Sequence, residues 1–191
     1  MSISKKGTFI SFEGIDGCGK STQVSLLIER LEKENIDSVL VREPGGSGIS
    51  EEIRNTLLKT RSENMASRAE ALLMTASRAQ LTKEKIKPAL DDGICIIADR
   101  YKDSTLAYQG GGRGIDLEYL IELNEFATYG LDPDLTIFID ITAVEARNRS
   151  NVSDPDRIES IGIDFQEKVR ELYLGLAERY PKRFLKIDGN E

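Results

Sequence analysis

Histidine is absent from this chain of 191 residues. That excludes a Ser-His-Asp or Cys-His nucleophilic device and any histidine-ligated metal site. Cysteine is scarce. Only Cys18 and Cys95 occur, one in a glycine-rich stretch and one in an apolar run. Without zinc-type spacing they make neither a metal knuckle nor a disulfide framework, and they fit a reducing, cytoplasmic setting. Cys18 reads as a small loop filler. Long apolar runs are missing: no segment approaches the ~20 residues of a membrane span. Met1 to Gly7 lacks the apolar core of a secretory leader, so the sequons at Asn148 and Asn151 read as accidental. There is no basic excess either. A net charge of −7 argues against a nucleic-acid or membrane-surface partner but leaves room for a local phosphate site. No internal repeat or low-complexity segment occurs. What remains is an ordinary globular composition, 39% hydrophobic and 31% charged, at a length that favours one domain.

What is present centres on Phe12-Glu13-Gly14-Ile15-Asp16-Gly17-Cys18-Gly19-Lys20-Ser21-Thr22. It fits the pattern Gly, four residues, Gly-Lys-Ser/Thr. Such backbone turns sharply and aims successive N–H groups at phosphate oxygens, so Gly14 to Thr22 are candidate ATP-binding residues. Lys20 would reach the β- and γ-phosphates, and the Ser21 hydroxyl would ligate Mg²⁺. The context supports this. Thr8 to Phe12 reads as a buried strand, and Val24, Leu27, Ile28 and Leu31 fall on one helix face.

Four more apolar runs read as strands: Ser38 to Val41, Ile94 to Ala98, Leu135 to Ile139, and Phe184 to Ile187. Helical stretches separate them. The alternation predicts an α/β fold with a five-stranded parallel sheet flanked by helices. Each strand ends in polar residues: Glu13, Arg42-Glu43, Asp99-Arg100, Asp140 and Asp188. In such sheets ligands bind beyond the carboxyl ends of the strands. Ser67 with Glu70, and Thr142 with Glu145, fit the capping box. The first would open a long helix from Arg68 to Leu90, the second one from Ala143 to Arg149. Asp116 would cap Leu117 to Thr128. Gly110-Gly111-Gly112-Arg113-Gly114 reads as a flexible loop, and Ser150 to Pro155 as a mobile segment.

Arg54, Arg78 and Arg100 follow the loop on separate elements. A second phosphate-bearing ligand needs such a cluster, because arginine grips phosphate through a planar fork of donors. Arg78 shares a helix face with Met74, which suits a planar polar ring. Asp99, at the end of a strand, reads as a second Mg²⁺ contact. Arg147, Arg149 and Arg157 flank the segment from Asn151 to Pro155. A basic segment there could close over ATP, although Arg147 and Arg149 are two apart and cannot share a regular helix face.

Taken together, the loop, Arg42-Glu43-Pro44-Gly45-Gly46, Asp99-Arg100-Tyr101 and Ser104-Thr105-Leu106-Ala107-Tyr108-Gln109-Gly110 resemble the thymidylate kinase family. The likeness runs from the first strand to Asp188. It implies a three-layer P-loop NTPase fold, a single domain over 1–191 with a lid at roughly 147–158. It implies transfer of a phosphoryl group from ATP to dTMP with Mg²⁺, and a homodimer. By the same resemblance Asp16 would hold the deoxyribose 3′-hydroxyl, Arg54 and Arg100 the monophosphate, and Arg78 the thymine ring. Thr105 and Gln109 would add base contacts, Tyr108 would crowd the 2′ position, and Glu43 would stand at the metal and substrate edge. Gly17 stands where one branch of the family has a loop arginine, which points to lid arginines Arg147 and Arg149, with Arg157, as the alternative supply.

Two departures stand out. Met74 replaces a usual phenylalanine, and the chain ends at Glu191 where relatives commonly add a helix. The catalytic set expected is Lys20, Arg100, Arg147 and Arg149, acting by placement and charge neutralisation without a covalent intermediate. Two alternatives stay open. One is a kinase for another pyrimidine monophosphate, dUMP or dCMP. The other is a nucleotide switch, against which stands the absence of an Asn-Lys-x-Asp motif.

Overall fold

The computed structural model describes residues 6–149 and 156–190. Five strands form one all-parallel sheet: β1 (Phe9–Glu13), β2 (Ser38–Arg42), β3 (Cys95–Asp99), β4 (Leu135–Asp140) and β5 (Phe184–Asp188). Their order is β2-β3-β1-β4-β5. Each lies within a residue of its expected place. The central strand β1 and its neighbour β3 are buried along nearly their whole length because both their faces are covered. The edge strands β2 and β5 expose Leu40, Leu185 and Ile187. A hydroxyl pair, Ser11 Oγ with Thr136 Oγ1 at 3.0 Å, joins β1 to β4 inside the core.

The chain leaves β1 toward β2 on one side of the sheet and later leaves β3 for β4 on the other. A crevice therefore opens beyond the carboxyl ends of the adjacent strands β1 and β3, where such sheets hold ligands. The first helix, α1 (Lys20–Lys33), starts directly after the glycine-rich loop. α2 (Gly48–Leu58) follows β2 and carries Arg54.

The long helix expected from Arg68 to Leu90 is three pieces in a row. They are α3 (Ser67–Leu81), a wide π turn over Thr82–Ile86, and α4 (Lys87–Asp91). Pro88 has no N–H to donate, so a regular α ladder cannot run through it. The capping box at its start does not form. Ser67 is already helical, Ala66 stands at the cap, and Glu70 turns inward to two arginines. The other two caps are present. Asp116 Oδ1 accepts from Tyr119 N–H at 3.0 Å at the head of α6 (Leu117–Thr128). Thr142 Oγ1 accepts from Glu145 N–H at 3.2 Å at the head of α7 (Ala143–Arg149).

The glycine run is not a loose loop. After the short α5 (Lys102–Thr105), Leu106–Gly112 form a buried π-helix packed against α8 (Ile163–Arg179). The absence of side chains serves close approach here. A Cβ on Gly111 would stand 2.7 Å from the Lys168 carbonyl oxygen and 2.9 Å from Leu172 Cβ. The expected mobile segment, Ser150 to Pro155, lies outside the described residues.

Gly111→Ala tests this packing. The added methyl forces α8 away, and the cost expected is about 1–3 kcal/mol of stability, read by chemical denaturation. An unchanged midpoint contradicts the close contact.

Candidate active site

The loop after β1 is shaped by its glycines and by its neighbour α7. Gly17 has φ 82°, and a Cβ there would meet the Ala146 carbonyl oxygen at 2.5 Å. Lys20 lies at the head of α1, with its ammonium folded back over the loop. Nζ donates to Gly14 O at 3.1 Å and Ile15 O at 2.9 Å, with Cys18 Sγ at 3.7 Å. Cys18 is buried under the loop, as a filler should be.

The corner after β3 faces this loop. Arg100 has φ 72°, a left-handed conformation seldom taken by residues other than glycine. Its Nη2 donates to Asp16 Oδ1 at 2.5 Å and Tyr108 OH at 2.9 Å, and its Nη1 donates to Gly14 O at 2.8 Å. The Tyr108 hydroxyl donates to Asp16 Oδ2 at 2.9 Å, and Gln166 Nε2 donates to the same oxygen at 3.2 Å. Burial pushes Asp16 up, but Arg100 first and Lys20 second pull harder, so its carboxyl ends below the ordinary value.

Arg78 stands on α3 at 2% exposure with every N–H of its guanidinium engaged. Nε and Nη2 reach Glu43 Oε2 at 2.7 and 2.5 Å. Nη1 donates to Thr105 Oγ1 and Asn124 Oδ1, both at 2.7 Å, and Nη2 donates to Tyr101 O at 3.0 Å. A hydrogen bond from Arg78 to a ring would therefore need one of these exchanged. Burial raises the Glu43 carboxyl despite the opposing pull of Arg78, and its Oε1 is buried without a partner. Gln109 donates through Nε2 to Glu70 Oε1 at 3.0 Å, and Arg113 grips the same carboxylate with two bonds of 2.9 and 2.8 Å.

A cleft of about 460 Å³ brings these groups together. Lys20, Ser21 and Asp99 line it with Arg54, Arg78 and Arg100, and so do Glu43, Met74, Thr105, Tyr108 and Gln109. Arg54 donates to Pro44 O at 2.8 Å. Burial first and the neighbouring Arg42 second lower its pKa. Residues expected on the donor side, Lys20 and Ser21, and those expected on the acceptor side, Arg54 and Arg100, thus line the same cleft.

Ser21 Oγ donates to Asp99 Oδ2 at 3.2 Å. A hydroxyl and a carboxylate at that separation form a hard-oxygen pair of the kind Mg²⁺ takes when substrate phosphates and water complete its shell. Among the described residues no cluster of three acids or thiols suggests a dedicated metal cage.

The three arginines expected to serve as lid groups part company. Arg147 lines a second cavity of about 540 Å³ that shares Asp16 and Gly17 with the cleft. Arg149 faces the other way, donating to Glu145 Oε1, Gly189 O and Asn190 Oδ1. Arg157 is tied down, with Nη2 2.7 Å from Glu70 Oε2 and Nε donating to Leu57 O at 2.8 Å. Several groups escaped the sequence reading. Gln166 reaches Asp16 from 150 positions away, so no local pattern marks it. Glu70 carried only a capping signal, and Glu13 only that of a strand end.

A family model described as Thymidylate kinase matches residues 12–191. The thymidylate kinase of Caldanaerobacter subterraneus subsp. tengcongensis is 50% identical over 96% of this chain and 88% of its own length. That of Thermoanaerobacter sp. (strain X514) is 47% identical over 96% of this chain and 90% of its own.

Arg78→Met tests the pairing inside the wall. It leaves Glu43 buried without its cation, at an expected cost of about 3–5 kcal/mol. The sign with pH follows from burial. The Glu43 pKa already lies above 4.5, and losing Arg78 raises it further. The unfolded chain keeps the ordinary value. Stability is thus best below that value and is lost as pH rises through the folded one. Denaturation should show a larger loss at pH 8 than at pH 5.5. Equal losses contradict this account.

Proposed function

The chain belongs to the thymidylate kinase family, and from that premise we propose how its cleft passes the γ-phosphoryl group of ATP to the 5′-phosphate of dTMP. The observation that carries the proposal is one cleft lined both by the loop lysine and by Arg54, Arg78 and Arg100 among its arginines, at the carboxyl ends of adjacent strands.

Amides of Gly14 to Thr22 and the head of α1 cradle the donor phosphates. Lys20 gives up its two loop carbonyls and turns to the β- and γ-oxygens. Arg54 and Arg100 hold the acceptor phosphate, whose oxygen is already nucleophilic, so no strong base is required. Asp16 takes the deoxyribose 3′-hydroxyl, and the Tyr108 ring, fixed by Asp16 and Arg100, closes the 2′ side. Met74, Thr105, Gln109 and the Arg78–Glu43 pair frame the base. Ser21 and Asp99 would hold Mg²⁺, which when bound supplies neutralising charge at the donor phosphates. Arg147, beside the loop, is the better placed lid arginine for the transferring group. Placement and electrostatic stabilisation then supply the rate.

We further read the chain as a cytoplasmic homodimer. Tyr119 and Phe126 lie seven apart on α6, both exposed, with Phe126 at 84%, and Leu72 is exposed on the neighbouring α3. Apolar groups on two packed helices suit a self-complementary interface. Sedimentation tests it, and a single-chain mass at micromolar protein contradicts it.

ADP release, measured across dTMP, dUMP and dCMP with ATP and Mg²⁺, tests the substrate. dTMP should be the preferred acceptor, and a clear preference for dCMP contradicts the assignment. Lys20→Ala should lose most turnover, by about 10²-fold or more, while keeping the wild-type melting profile. Near-normal turnover removes Lys20 from its role.

A further inference from the structure

Glu13, the last residue of β1, has no part in the steps above and does not line the cleft. It is nonetheless fully buried and fully engaged. Oε1 accepts the Tyr101 N–H at 2.8 Å. Oε2 accepts the Ser104 hydroxyl at 2.6 Å and the Tyr173 hydroxyl at 2.7 Å. The oxygens of the same two hydroxyls lie 3.2 and 3.5 Å from Arg100 Nη1 and accept from it. Carboxylate and guanidinium thus share two hydroxyl bridges. The carboxylate also holds the peptide N–H directly after the residue whose φ is 72°.

We propose that Glu13 is a positioning residue for Arg100, holding the left-handed corner and the two bridging hydroxyls so that the guanidinium meets the acceptor phosphate. This rests on the reading of Arg100 as a phosphate-binding residue. A buried acid is a costly way to pin a peptide, since burial disfavours its charge. A neutral amide of the same shape offers only one oxygen acceptor where the carboxylate offers two. The anion therefore matters for both its charge and its acceptor count.

The charged and titratable groups facing Glu13 come from several elements. They are Asp103 on α5, Arg100 after β3, Tyr173 on α8, and Arg183 just before β5. Burial first and Asp103 second raise its carboxyl to about 7, against the pull of Ser104, Arg100 and Tyr173. Below that pH the carboxyl holds a proton and turns one acceptor into a donor, so the corner loosens. Above it the anion forms and the corner tightens. The same shift means the anion costs stability. Relative to an unfolded acid near 4.5, the contribution is best at low pH and is lost as pH rises through about 7.

Calorimetric titration with dTMP and with thymidine, which lacks the phosphate, tests the proposal. In Glu13→Gln the affinity for dTMP should fall about tenfold or more, as losing a charged hydrogen bond predicts. Affinity for thymidine should fall clearly less, since Arg100 also steadies Asp16 and Tyr108 at the sugar. The wild-type to Glu13→Gln ratio for dTMP should shrink from pH 8 to pH 6, because the phosphate's own titration cancels in the ratio. Equal losses for both ligands mean a merely structural acid and overturn the proposal, as does no loss for either. Arg100→Ala separates the two readings. If it leaves the dTMP-to-thymidine ratio unchanged, the phosphate role of Arg100 fails. If it alone abolishes the ratio while Glu13→Gln does not, only the positioning role fails. Should Glu13→Gln not fold, Tyr173→Phe carries the test. It keeps the ring stacked on Phe138, 5.2 Å between centroids, and removes one bridge. A selective, smaller loss for dTMP is expected, and an unselective or absent loss overturns the proposal.

Discussion

Arg100 leaves the end of β3 in a left-handed backbone conformation and reaches across to the Gly14 carbonyl and the Asp16 carboxylate after β1. That reach joins the two halves of the cleft. The glycine-rich loop and the corner after β3 are held together by a single guanidinium. The sheet makes this possible because β1 and β3 are neighbours although their connections run to opposite sides. Two strand ends, placed side by side by topology, deliver groups that lie 84 and 86 positions apart in the chain.

Charge pairing around this contact is dense and mostly dry. Arg78 is saturated by Glu43, Thr105, Asn124 and a carbonyl, and Glu70 is held by Arg113, Arg157 and Gln109. Buried ion pairs of this kind seldom add net stability, because desolvation offsets the attraction. What they supply is fixed geometry. Donors already oriented need little reorganisation when a charged ligand arrives, which is how preorganised sites favour phosphoryl transfer. The glycine-bearing π-helix contributes in the same way. By letting α8 approach closely, it fixes Tyr108 and Gln109 against a rigid support.

Much of this was legible in the residue order. Five apolar runs spaced by helical stretches determine the parallel sheet, and the spacing of Gly14, Gly19, Lys20 and Ser21 marks the phosphate loop. The arginines were legible as a set because each belongs to a different part of the chain, Arg54 to α2, Arg78 to α3 and Arg100 to the corner after β3. The failures share one cause. Gly110 to Gly114 looked flexible because glycine signals freedom locally, whereas its purpose here is contact with α8, far along the chain. Glu70 matched a capping pattern, but a tertiary ion pair outweighs a surface cap once the carboxylate is buried. Gln166, Tyr173 and Glu13 act through partners in other elements, and no local spacing encodes such contacts.

The account stands on two anionic ligands meeting in one cleft at separate subsites. Calorimetric titration of dTMP into protein saturated with a non-hydrolysable ATP analogue and Mg²⁺ tests this most directly. One dTMP should bind per chain, as tightly as to the free protein or more tightly, since positive coupling between adjoining sites is reciprocal. Displacement of the analogue by dTMP, with a single shared stoichiometry, would contradict the account.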